Sequence, residues 1–120
     1  MQGEQIEENS LQMLIDEQLS AVTFVQNYLQ LHFDGPRLTV FSRVIVRLGD
    51  QTFHGDKPGF RDALCNNIAK KVAEARIAYG DSISISFADG SMIKISLKDE
   101  DYSGGEAVHF DAGGNVWWSL

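Results

Sequence analysis

Cysteine is nearly absent from this chain. Cys65 is the only one in 120 residues, which excludes an intrachain disulfide and a structural zinc site built on thiolates. A reducing compartment fits such usage. Long hydrophobic runs are missing as well: no apolar stretch approaches the roughly 20 residues of a membrane-spanning helix. Met1-Gln2-Gly3-Glu4-Gln5 has neither the basic flank nor the apolar centre of a secretory signal, so a cytoplasmic protein is expected, without membrane attachment. Basic side chains are few. There are 10 Lys and Arg against 17 Asp and Glu, giving a net charge of −7 and a pI of about 4.7. This disfavours nucleic acid as a partner, because phosphate contacts need clustered Lys and Arg. It is compatible with a basic protein partner, although acidity also serves solubility alone. Proline is confined to Pro36 and Pro58, and no linker or low-complexity tract interrupts the chain. One domain spanning 1–120 follows.

What is present is alternation. In Tyr28-Leu29-Gln30-Leu31-His32-Phe33 the apolar residues fall on every second position, Asp34-Gly35 supplies a turn, and Leu38 and Val40 resume the pattern. The same text returns in Ile83–Ile95, with Phe87-Ala88-Asp89-Gly90 at its turn. Leu19-x-x-Val22-x-Phe24 precedes the first hairpin much as Val72-x-x-Ala75-x-Ile77 precedes the second. Strands are therefore expected at about 19–25 and 71–78, each leading into a hairpin. The first return strand reads as running from Leu38 to about Leu48. Phe41 and Ile45 lie on its second parity, which implies that both faces are partly covered or that a bulge near Ser42 shifts the register.

Between the two copies, Pro58 stands where a helix begins, and Phe60, Leu64 and Ile68 recur four residues apart. The spacing predicts a helix from about Gly59 to Ala69. At the N-terminus, residues 1–9 are polar and read as a disordered tail. Ser10 is placed to cap a short helix carrying Leu11, Leu14 and Ile15. At the other end, Ala107–Phe110 and Val116–Leu120 form a last hairpin across Asp111-Ala112-Gly113-Gly114-Asn115. The expected fold is α+β, mainly antiparallel sheet, with two similar meander halves flanking one central helix and a C-terminal hairpin.

Few residues carry a chemical signal. His32 and Asp34 share a strand parity, but Asp34 falls in the turn, where shaping the backbone is its commoner task. His54 and Asp56 flank Gly55 in a loop, without a third ligand beside them, and His109 stands alone. Three scattered histidines define no metal site. Cys65 follows Leu64 in the expected helix, where packing is its ordinary role. The pairs Gly104-Gly105 and Gly113-Gly114 lack the strand-to-helix setting of a phosphate loop. No catalytic residue, metal ligand or cofactor is therefore assigned.

Two features stand out. Asp99, Glu100, Asp101 and Glu106 crowd around Tyr102 without the spacing of a calcium loop. They read either as a solvated loop or as a patch for a basic partner. In Trp117-Trp118, neighbours on a strand face opposite sides. If Val116, Trp118 and Leu120 take the core, Trp117 is left on the other side, to be covered or to anchor a partner.

The segments Phe24–Gly35, Gly59-Phe60-Arg61-Asp62-Ala63-Leu64-Cys65 and Glu100-Asp101-Tyr102-Ser103-Gly104-Gly105-Glu106-Ala107 resemble a family of small uncharacterised bacterial proteins of immunity-protein-like character. The resemblance covers most of residues 19–120 and carries no catalytic residues with it. It implies a cytoplasmic protein that binds and blocks the active domain of a toxin. The expected function is thus a non-catalytic protein-binding module using Asp99, Glu100, Asp101, Tyr102, Glu106 and Trp117. One alternative is a small-molecule-binding or enzymatic domain with a pocket between helix and sheet near His32, His54 and Asp56. Another is a self-associating domain that forms a homodimer.

Overall fold

The alternating segments build two five-stranded antiparallel sheets. The computed structural model of the chain describes residues 2–120, with side chains from Ile6 onward. The strands are β1 (Ala21–Val25), β2 (Tyr28–His32), β3 (Arg37–Val40), β4 (Val44–Leu48), β5 (Gln51–His54), β6 (Val72–Ala78), β7 (Ser82–Phe87), β8 (Met92–Ser96), β9 (Val108–Gly113) and β10 (Val116–Ser119). The helices are α1 (Gln2–Leu11) and the short α2 (Phe60–Cys65). The first sheet has the order β1-β2-β3-β9-β10 and the second β5-β4-β8-β7-β6. The chain is therefore mostly antiparallel sheet with a small helical part, and none of the described helices is long and apolar enough to cross a membrane.

This order contains an exchange. The hairpin β4–β5 follows the meander β1–β3 in sequence but pairs with the later meander, β4 lying against β8. The hairpin β9–β10 follows β6–β8 but pairs back onto the first meander, β9 against β3. The long return strand expected over 38–48 is consequently two strands in different sheets. Residues 41–43 carry the chain from one sheet to the other, so the parity conflict at Phe41 and Ile45 does not come from a bulge near Ser42 within one strand, whereas the partial cover of both faces is present: Thr39 is buried and Phe41 and Ile45 are half-buried. Phe41 packs its ring on Tyr28, with centroids 5.4 Å apart, and Ile45 lies on the outer face of the second sheet.

Alternation divides each sheet as the periodicity requires. Leu31, Leu38 and Phe110 from the first sheet, and Ile83, Ile85 and Ile93 from the second, are fully buried in one core. Each such side chain contributes about 1.5–3 kcal/mol by leaving water. The two hairpin turns differ by one residue: Phe33 N–H donates to Pro36 O, three positions on, at 2.8 Å, and Phe87 N–H to Ser91 O, four positions on, at 2.8 Å. Asp34 holds the left-handed φ of 54° there, a conformation that Asp tolerates better than most residues.

Four local expectations change. The polar segment read as a tail belongs to α1 from Gln2 on, while Met1 lies outside the described residues. Ser10 sits in the last turn of α1 rather than at the start of a helix, and its Oγ accepts from Trp118 Nε1 at 2.6 Å. Leu11 and Leu14 beside it are fully buried, so packing of this apolar end, not propensity, holds the segment against β6. The helix expected to reach Ala69 ends at Cys65. Beyond it the chain tightens into turns, with Asn67 N–H donating to Leu64 O and Ile68 N–H to Cys65 O; the buried Asn67 accepts from Lys70 Nζ at 3.1 Å and lies 2.8 Å from Ser91 Oγ, and Ala69 then turns with φ of 80°. Finally, β9 extends to Gly113, into the stretch read as turn.

Candidate functional site

The connection from β8 to β9 carries the acidic residues across from the second sheet to the first. Asp99–Asp101 form one 3-10 turn. Tyr102 is half-buried and its hydroxyl donates to Asp99 Oδ1 at 3.2 Å. Desolvation, and secondarily this bond, push the phenol above its ordinary pKa. Asp99 and Glu100 are exposed and Glu106 is half-buried. Asp101 differs from its neighbours. Its Oδ2 accepts from Ser96 Oγ at 2.6 Å, its Oδ1 lies 3.3 Å from Arg43 Nε, and its carbonyl accepts from Ser42 Oγ at 3.2 Å. It ties the loop to β8 and to the 41–43 crossover. The outward carboxylates are those of Asp99, Glu100 and, in part, Glu106.

The tryptophans separate as strand parity demands, but Val116, expected on the core side with Trp118, is exposed because the register shifts between Val116 and Trp117. Trp118 is 7% exposed and stacks on Phe110 with centroids 5.1 Å apart, while Trp117 is 63% exposed. Trp117 occupies the outer face of the first sheet, in a cross-strand row with Asp111, Arg37, His32 and Ala21. His109 lies beside the indole at 5.9 Å between ring centroids, and its Nδ1 is 2.9 Å from Ser119 Oγ. Arg37 and Asp111 form an ion pair at 3.6 Å. Arg37 Nε is buried on this face without a hydrogen-bond partner among the described residues. Trp117 pairs with Asp111, which is four residues past Ala107, so the indole stands about 13 Å along the strand from the end of the acidic loop. The two features form separate footprints.

The histidine candidates do not converge. His32 belongs to the first sheet, where its Nε2 lies 3.0 Å from Thr23 Oγ1. His54 ends β5, on the second. His54 and Asp56 line two adjoining clefts that share Arg43, Val44, Gly55 and Asp101. One, of about 320 Å³, lies between Phe60 of α2 and Val44 of β4 and includes Asp56. The other, of about 180 Å³, opens on the outer face of the second sheet and includes His54, Lys94, Lys98, Ser82 and Ser96. Gly55 lets the strands approach at this junction, since a Cβ there would sit 3.2 Å from Val44 O. Among the described residues no group of three or more His, Cys, Asp or Glu is arranged to hold a metal. Cys65, expected to pack, is exposed instead.

Lys94 escaped the reading of the sequence, although the signal was there: it is the one charged residue on the alternating stretch Ile93–Ile95 of a central strand. Comparison with protein-family models, with curated proteins and with solved structures finds no match for this chain.

Proposed function

We propose that this protein is a non-catalytic protein-binding module. The observation that carries the reading is the exposure of Trp117, a large rigid side chain left uncovered on an open sheet face and flanked by Val116, itself 39% exposed. An indole in that setting is an anchor for a partner surface. Asp99 and Glu100 form a second, charged footprint that would steer a basic partner toward the molecule. Asp101 is better seen as holding that loop in shape than as a contact, and Tyr102 as fixing Asp99. The partner in this reading is a basic toxin domain, and the activity is its neutralisation, as the family resemblance implies. We also read the two meanders, with α2 between them, as repeats of one plan, supported by their shared antiparallel order of three consecutive strands and by an Asp-Gly pair in the second turn of each.

The test is binding to a candidate toxin domain encoded beside this chain. Trp117→Ala is expected to weaken binding about tenfold or more at every salt concentration, as a lost aromatic anchor does. Asp99→Lys with Glu100→Lys is expected to slow association at low salt and to matter little at high salt. If neither change alters binding, the proposed surface is wrong. Light scattering on the free protein separates the competing reading: a dimer that Trp117→Ala dissociates would assign the indole to self-association.

A further inference from the structure

The smaller cleft carries an inference that does not depend on any protein partner. Its floor is the outer face of the second sheet, where Ser82 and Ser96 are direct cross-strand partners on β7 and β8. Each serine donates to a carboxylate: Ser82 Oγ to Asp81 Oδ2 at 3.0 Å and Ser96 Oγ to Asp101 Oδ2 at 2.6 Å. Each carboxylate also faces a cation, Asp81 with Lys98 at 3.8 Å and Asp101 with Arg43 at 3.3 Å. The two acids of the cleft are thus already compensated.

Lys94 is not. It stands half-buried on the central strand β8, between Ile45 of β4 and Ser84 of β7. Among the described residues it has neither an ion pair nor a side-chain hydrogen bond. His54 is the cross-strand partner of Ile45 on the far side, so an ammonium and an imidazole bracket one isoleucine. Arg47 and Arg76 lie on the same face, with only Glu74 beside Arg76 as a further acid there, at 3.8 Å. In a chain of net charge −7, this face, with Arg43 and Lys98 at its edge, holds five of the ten basic side chains and leaves an uncompensated cation in the lining of a concavity. Such a site lowers the free energy of an entering anion.

We propose that the cleft binds a small organic anion: one carboxylate or phosphate group on a short hydroxylated carbon skeleton. Lys94 and His54 face the anionic group, Ile45 covers the carbon skeleton, and one oxygen of the Ser96–Asp101 or Ser82–Asp81 pair accepts from its hydroxyl. The volume of about 180 Å³ is below the roughly 300 Å³ at which drug-sized pockets begin, which limits the ligand to a handful of heavy atoms.

Titration followed by backbone amide NMR tests this, using lactate and glycerol phosphate as probes and glycerol as the uncharged comparison. Saturable shifts are expected at residues 43–45, 54–55, 81–82 and 94–98 with at least one anion and not with glycerol. Which anion produces them distinguishes carboxylate from phosphate. Lys94→Gln is expected to weaken the binding about tenfold, as loss of a charge-assisted bond does, while Lys71→Gln, an exposed cation outside the cleft, leaves it unchanged. The spectrum of each variant reports whether it is folded. Absence of saturable shifts with both anions, or equal weakening by Lys71→Gln, would overturn the proposal.

Discussion

Trp118 Nε1 donates to Ser10 Oγ at 2.6 Å, joining residues 108 positions apart. The bond fastens the end of α1 to β10, and Ser10 Oγ in turn donates to Glu7 O at 2.9 Å. Replacing Ser10 by Ala leaves a part-buried indole N–H without its acceptor. The expected loss is about 1 kcal/mol of stability, read as a lower urea midpoint with Trp fluorescence as the probe. An unchanged midpoint would show that water replaces the hydroxyl without cost.

Asp89 gives the fold an acid-sensitive contact. Its Oδ2 lies 2.8 Å from Lys70 Nζ, and its Oδ1 accepts from Ser91 Oγ at 2.7 Å and Ser91 N–H at 3.0 Å. The Lys70 bond first, and then those from Ser91, hold the carboxyl far below its ordinary pKa of 3.8. A depressed folded-state pKa stabilises the protein above the unfolded value, and that contribution disappears as pH falls through the folded one. Melting temperature is therefore expected to drop on going from about pH 6 to about pH 3. In Asp89→Asn, which keeps an acceptor for the turn but not the charge, part of that drop should be gone. The carboxylate is about half exposed, so high salt should shrink the difference.

Ala69 has φ of 80°, and its N–H donates to Leu19 O at 2.7 Å. A Cβ in the left-handed region costs roughly 1–2 kcal/mol, part of which glycine recovers against its greater unfolded-state freedom. Ala69→Gly is expected to hold or raise stability by up to about 1 kcal/mol, whereas Ala69→Val should lower it by about 1–3 kcal/mol. Thermal melts of the two variants should move apart. If both melt together, the turn relaxes and stores no strain.

Local patterns were legible and long-range ones were not. Period-2 alternation was enough to place β2, β7 and β8 and to tell buried Trp118 from exposed Trp117, because parity follows from strand geometry alone. It was silent on the passage of the chain between sheets at residues 41–43, since β3 and β4 continue one alternation through the crossover. The strand β5 carries little signal in the sequence because Gln51-Thr52-Phe53-His54 is a polar edge between turn residues. The end of α2 is accompanied by a contact between Asn67 and Ser91, 24 residues away, which no window around Asn67 contains. At the candidate site the same limit applies. Asp99, Glu100 and Asp101 are indistinguishable as text, and only the approach of Arg43 and Ser96 to Asp101 separates a strut from surface charge.

The crossed pairing of the two hairpins has a consequence for how this chain can come apart. The meander β1–β3 has β9 for a neighbour only after residue 108 has been made, and β4 waits for β8. Neither sheet is complete until nearly the whole sequence is present, so contacts of high sequence separation must form together and folding is correspondingly slow. Cutting the chain anywhere between β5 and β6 strands one hairpin with each wrong fragment. The two pieces can regain their strand neighbours only by binding each other, like two hands that hold one another's thumbs.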